Sequence, residues 1–163
     1  MKSYFDTFST NLGDFSVAID ERGAVLATAF GGLAKLRQRF HVDTLTRDDK
    51  RTAQVRVQVQ EFLAGKRRRF DMKLNPAGST FQKRVWGELE RIPFGQTRSY
   101  AQLASSIGRP KAARAVGRAN ATNPICLLVP CHRVVGADGS LTGFAFGNSL
   151  KKRLLEHEQL MAR

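Results

Sequence analysis

The sequence predicts an α/β protein in two parts. A small N-terminal domain with an antiparallel sheet and helices comes first. A mainly helical C-terminal domain with a helix-turn-helix follows. Three observations predict this. Apolar and polar residues alternate in "DFSVAID", which places Phe15, Val17 and Ile19 on one face. "NPAG", Asn75 to Gly78, interrupts the pattern as a linker. Beyond it, apolar residues recur at helical spacing. The boundary therefore falls there, giving domains 1–76 and 77–163.

The elements follow in order. "DFSVAID" and "AVLATAF" flank "ERG", so two strands around a Gly-containing turn make a hairpin. "GLAKLRQRF" has helical spacing through Leu33, Leu36 and Phe40. "RVQVQEFLAG" reads as a helix closed by Gly65, although its Val-x-Val also suits a strand. "GKRRRFDMKLN" reads as a solvated charge run with a short strand. "STFQKRVWGELERI" opens on Ser79 with Gln82 three residues later, a capping box. Gln82, Val85, Trp86, Leu89 and Ile92 share its stripe, and Trp86 is assigned to the core. "SYAQLASSIG" is a short helix capped by Ser99 and stopped by Gly108. "RPKAARAVGRAN" starts another, with Pro110 in its first turn. This pair across a Gly-containing turn is a helix-turn-helix candidate. "NSLKKRLLEHEQLM" packs through Leu150, Leu154 and Leu155 and carries Glu158 near the end of the chain.

Composition excludes several classes. An apolar fraction of 42% in 163 residues supports a real core. No apolar run approaches the ~20 residues that span a bilayer. "MKSYFDTFST" lacks the apolar stretch of a signal peptide, so a cytoplasmic protein with no membrane partner is expected. Two cysteines, Cys126 and Cys131, and three scattered histidines do not make a zinc spacing, and neither metal nor cofactor is expected.

Charge points toward a partner. The chain has 27 basic and 14 acidic residues, a net +13. From Arg91 to Ala137 there is no Asp or Glu but seven basic residues. A stretch of that kind reads as a face for phosphates. The second helix of the candidate pair is otherwise small-residued, with Ala112, Ala113, Ala115 and Gly117 between its basic residues. Small residues let a helix backbone approach a partner closely, and a DNA groove is one such partner. Inside the same stretch lies "LLVPCHRVVG", a thiol followed by two basic groups. Cysteine reacts as thiolate, which a base or positive charge favours. A lone Cys beside His is more often an inert core thiol than a nucleophile. Cys126, on the apolar run, reads as a small buried hydrophobe.

The residues "NPICLLVPCHRVVGADGSLTGFAFG", with "SYAQLASSIGRPKAARAVGRAN" before and "KKRLLEHE" after, resemble the O6-alkylguanine-DNA alkyltransferases. These are also called methylated-DNA–protein-cysteine methyltransferases. The likeness is close from Thr80 to Glu158 and looser in the hairpin. It implies a winged-helix-like C-terminal domain and direct reversal of damage in duplex DNA. Cys131 would accept the alkyl group from O6 of guanine, irreversibly and once per molecule. O4-alkylthymine is left open as a second substrate. His132 would link Cys131, through a water, to Glu158. Asn123 would tie the turn before the acceptor. Tyr100 would contact the flipped nucleotide and help protonate the leaving guanine. Arg114 would fill the space that nucleotide vacates, on a helix lying in the minor groove. Gln82, Arg109, Lys111, Ala112, Ala113, Ala115, Gly117, Arg118 and Arg133 would face DNA. Val134, Phe144 and Ala145 would wall the base pocket with Tyr100. The protein would act as a monomer, with clustering on DNA left open.

The chain departs from the family pattern at several positions. Phe144 stands where many relatives carry Tyr. Phe146 is larger or differently aromatic than is usual there, and Cys126 replaces a proline. Arg118 adds charge to the second helix, and Gln159 replaces a common Gly. Two other functions compete. Some relatives flip alkylated bases and signal without a cysteine, but Cys131 is present here. A cysteine hydrolase would use Cys, His and Glu but would leave the acid-free basic stretch idle.

Overall fold

A computed structural model describes residues 2–42 and 44–163. The chain divides into two compact units, Met1–Ala77 and Gly78–Arg163. It is the α/β protein the sequence predicts.

In the first unit, strands β1 (Ser3–Thr10), β2 (Gly13–Asp20), β3 (Val25–Phe30) and β4 (Leu45–Arg47) form a sheet of order β3-β2-β1-β4. The expected hairpin is β2–β3, with Phe15 opposite Phe30. Strand β1 went unassigned in the sequence because Ser3 and Asp6 occupy buried positions where an apolar residue is expected. Asp6 is satisfied there by Arg56 Nη1 at 2.6 Å, Thr52 Oγ1 at 3.2 Å and Arg47 Nη2 at 3.3 Å. A buried carboxylate with three donors avoids the desolvation cost that would otherwise expel it. Phe8, Phe15 and Phe30 pack tilted and edge-on across three strands, with centroids 5.8 and 5.1 Å apart.

Helix α1 (Leu33–Arg39) carries the chain from β3 to β4. Strand β4 therefore pairs with β1 in parallel, Ser3 opposite Leu45, an addition to the antiparallel sheet expected. Helix α2 (Ala53–Leu63) is closed by Gly65, whose φ is +79°. The strand expected in "GKRRRFDMKLN" does not form. Leu74 makes an isolated bridge to Val25, and the flanking bonds come from Val25 N–H to Lys73 O (2.9 Å) and Asn75 N–H to Val25 O (2.7 Å).

The second unit is mainly helical. Helix α3 (Thr80–Leu89) starts with the expected capping box between Ser79 and Gln82. Trp86 on α3 is core, and its Nε1–H donates to Ala119 O at 2.7 Å. A Cβ on Gly78 would lie 2.6 Å from the Trp86 ring, so the linker glycine allows this packing. Helix α4 (Tyr100–Ser106) has the second capping box, Ser99 with Gln102. Helix α5 (Ala113–Ala121) begins three residues after Pro110, which corrects the placement of that proline. Ala112 N–H bonds Arg109 O at 2.9 Å, so Pro110 occupies the second position of a turn, where its fixed φ suits. Strands β5 (Arg98–Ser99) and β6 (Val134–Val135) pair in parallel, and α6 (Asn148–Met161) closes the unit. Among the described residues, no helix is long and apolar enough to cross a membrane.

Candidate active site

The segment leading to Cys131 is built from tight turns. Leu128 N–H bonds Cys126 O at 2.9 Å, which forces Leu127 to a φ of +72°. A non-glycine residue held there stores about 1–3 kcal/mol. Cys131 N–H then bonds Val129 O at 2.7 Å around Pro130, whose φ of −80° and ψ of 64° are those of an inverse γ-turn. Proline supplies that φ without cost. Asn123 holds the segment together: its Nδ2–H donates to Val129 O and its Oδ1 accepts from Ile125 N–H, both at 3.0 Å. The strained backbone thus delivers Cys131 at the start of a 3-10 turn, Cys131–Arg133. Cys131 keeps 5% exposure and Cys126 only 1%, so Cys131 is the more accessible thiol.

Behind the thiol lies a sealed charge cluster. His132 and Glu158 are 0% and 1% exposed, and His132 Nε2 is 2.5 Å from Glu158 Oε2. Arg133 grips the same carboxylate from Nε to Oε1 at 2.7 Å and from Nη2 to Oε2 at 3.1 Å. Its Nη1–H donates to Ile92 O at 2.7 Å, and Gly95 N–H reaches Glu158 Oε1 at 3.3 Å. This corrects the assignment of Arg133 to the DNA face: it is 7% exposed and its guanidinium is committed to Glu158. The motif places Arg133 beside His132 in sequence, but only the fold shows that both aim at one carboxylate.

These contacts fix the protonation states. Burial alone would raise the Glu158 carboxyl; the hydrogen bonds and charges of His132 and Arg133 overcome it and hold the pKa at about 2. Burial pushes His132 below its ordinary value, against the pull of Glu158, and the charges of Arg133 and Lys151 lower it further. At neutral pH, His132 is a neutral ring donating Nε2–H to an ionised Glu158. Its Nδ1 is then left with a lone pair, and that atom is buried with no hydrogen-bond partner among the described residues. A neutral imidazole oriented by a carboxylate is a general base.

The remaining expected residues fall into two groups. On and before α5, Arg109, Lys111, Arg114 and Arg118 are exposed, and Ala112, Ala113, Ala115 and Gly117 are half-buried between them. Gln82 is not free to reach outward: its amide closes the capping box and donates to Thr122 Oγ1 at 3.1 Å. Half-buried Tyr100 donates its hydroxyl to Thr142 O at 3.0 Å and packs against Gly117. Phe144 is buried and meets Phe146 edge-on at 5.7 Å. Val134 is fully buried in β6, and Ala145 is exposed.

Sequence reasoning missed Asn120 and Lys151. Asn120 is buried and donates Nδ2–H to Cys131 O at 3.4 Å. Lys151 is fully buried on α6. The signal for it was present: Lys151, Leu154 and Glu158 share one helical stripe, and two charges on a buried stripe are unusual. Among the described residues, no group of three or more His, Cys, Asp or Glu is placed to hold a metal.

A helix-turn-helix unit with a cysteine beside a carboxylate-oriented imidazole defines the class, and comparison gives the family. Residues 80–160 match the family model described as 6-O-methylguanine DNA methyltransferase, DNA binding domain. The methylated-DNA–protein-cysteine methyltransferase of Methanosarcina acetivorans is 41% identical over 155 residues, covering 95% of this chain and 97% of that protein. The constitutive enzyme of that name from Bacillus subtilis is 39% identical over 166 residues, covering 97% and 96%. The crystal structure of Mycobacterium tuberculosis OGT in complex with DNA superposes with a TM-score of 0.88 at 37% identity, covering 97% of this chain and 94% of that one. The chain belongs to the methylated-DNA–protein-cysteine methyltransferase family.

Proposed function

We propose that the protein repairs alkylated duplex DNA by moving the alkyl group from O6 of guanine onto Cys131. The observation that carries this reading is the buried relay behind the thiol, with Glu158 ionised, His132 neutral and Nδ1 unpartnered among the described residues. His132 takes the Cys131 proton through one water. The thiolate sulfur attacks the alkyl carbon, the C–S bond forms as the C–O6 bond breaks, and the electron pair stays with guanine. Tyr100 helps return a proton to the leaving base. Displacement at saturated carbon needs a soft nucleophile and a neutralised leaving group. It forms no tetrahedral acyl intermediate, so no oxyanion hole is required.

A stacked base does not present its O6 substituent to a thiol that is 5% exposed, so the nucleotide is extruded. Unstacking costs a few kcal/mol. Exposed Arg114 fills the vacated space and offsets part of that cost, while Arg109, Lys111 and Arg118 engage phosphates. The half-buried Ala and Gly positions let α5 approach the minor groove. Tyr100, Val134, Phe144 and Ala145 contribute the base pocket. The unit from Gly78 onward reads and repairs DNA, and a monomer suffices.

The product thioether has no activated leaving group, and the reaction runs once per molecule. Mass spectrometry of intact protein after exposure to O6-methylguanine duplex tests the reading. A gain of one methyl, mapped to Cys131 and absent in Cys131→Ser, is expected. Tight binding with unchanged mass would instead mark a damage-signalling protein.

A further inference from the structure

We infer that Lys151 is a positioning residue of the acceptor site, its buried ammonium fixing the Thr142 carbonyl against which the Tyr100 hydroxyl rests. The inference depends on the alkyl-transfer reading above. Lys151 Nζ–H donates to Thr142 O at 2.8 Å, and Tyr100 Oη–H donates to the same oxygen at 3.0 Å. One carbonyl therefore joins the last helix to the first residue of α4. The packing is close on the Tyr100 side as well: a Cβ on Gly143 would lie 2.9 Å from Tyr100 Oη, and Gly143 has a φ of +73°. The next residue, Phe144, is buried. Whatever holds Thr142 in place thus also sets where the phenol points and where Phe144 begins.

A lysine is an expensive way to anchor a loop. Its charge loses solvation when the side chain reaches 0% exposure, and a neutral donor would bond a carbonyl equally well. The charge has another beneficiary, because Lys151 lies within electrostatic reach of Cys131, whose thiolate it stabilises. The titratable groups facing it are Cys131 and His132 on the acceptor turn and Tyr100 through Thr142. Glu158, on its own helix, is committed to His132 and Arg133. Burial pushes the ammonium below its ordinary value of 10.5, so Lys151 loses its charge at a lower pH than a solvated lysine.

Single-turnover transfer, measured against pH for wild type, Lys151→Met and Lys151→Arg, tests this, with affinity for unmodified duplex measured alongside. Lys151→Met should slow transfer by about tenfold or more and change duplex affinity by less than about twofold, because the exposed cations are elsewhere. The wild-type rate should fall at alkaline pH as Lys151 deprotonates. In Lys151→Arg that fall should move to higher pH, because a guanidinium stays charged. Equal rates in wild type and Lys151→Met would overturn the inference. If Lys151→Met fails to fold, an unshifted alkaline fall in Lys151→Arg overturns it. A wild type that transfers no alkyl group contradicts the function itself, which separates the two failures.

Discussion

His132 meets Glu158 at 2.5 Å where neither side chain touches solvent, and Arg133 closes the other side of that carboxylate. One acid thus serves two bases of different kinds. Arg133 keeps Glu158 ionised without competing as a proton donor, because a guanidinium does not give up its proton in this range. His132 is free to exchange its own. The first prediction follows from that division. Glu158→Gln removes the charge while keeping the shape, strands the Arg133 guanidinium, and should cost roughly 3–5 kcal/mol of stability by urea denaturation. Transfer by the folded fraction should fall about 100-fold.

Acid should unfold the second unit in a defined window. Glu158 has a folded pKa of about 2, depressed from its ordinary 4.5, so its stabilisation is complete above 4.5 and lost as pH falls toward 2. The linked contribution is on the order of 3 kcal/mol. His132, also depressed, acts in the same direction: the native state resists its protonation, so stability declines as pH falls below 6.5. Denaturation midpoints between neutral pH and pH 2 should drop in wild type and drop less in Glu158→Gln.

The transfer rate should have an acid limb assigned to His132. Its pKa is lowered from 6.5 by burial, so the neutral base persists below that value and the limb should lie there. A single-turnover pH profile with the limb at or above 6.5 would contradict the assigned protonation state.

Arg114→Ala should separate extrusion from chemistry. Transfer from duplex should fall about 100-fold, while the slow reaction with free O6-methylguanine base should change less than about twofold. Replacing Arg109, Lys111 or Arg118 by Ala should instead lower the salt dependence of duplex binding, by about 0.9 in the logarithmic slope for each phosphate no longer neutralised.

Asn123→Ala removes two buried hydrogen bonds from a segment already strained at Leu127. A loss of about 2–4 kcal/mol in thermal or urea unfolding is expected.

Local signals made much of this legible. The Ser79–Gln82 capping box, the Ser99 cap, the β2–β3 hairpin, the closure of α2 at Gly65 and the core role of Trp86 follow from short-range patterns the fold leaves intact. Strand β1 was hidden because Asp6 breaks the apolar alternation, and its justification arrives from Arg47, Thr52 and Arg56, more than forty residues away. Helix α5 was extended too far because a proline suits both a first helical turn and the second position of a β-turn. At the site, Cys131, His132 and Glu158 were recognisable by motif. Arg133 was misread because a basic residue in an acid-free stretch looks solvent-facing until its carboxylate, 25 positions on, is brought to it. Lys151 passed unnoticed for the same reason: its partners are a backbone carbonyl and a thiol, and neither leaves a mark beside it in the sequence.

The stoichiometry of transfer tests the central claim most directly. Labelled O6-methylguanine duplex in large excess over protein should yield one methyl group per molecule, on Cys131, and then stop. Methyl release beyond the protein concentration, or label on any other residue, would contradict the account.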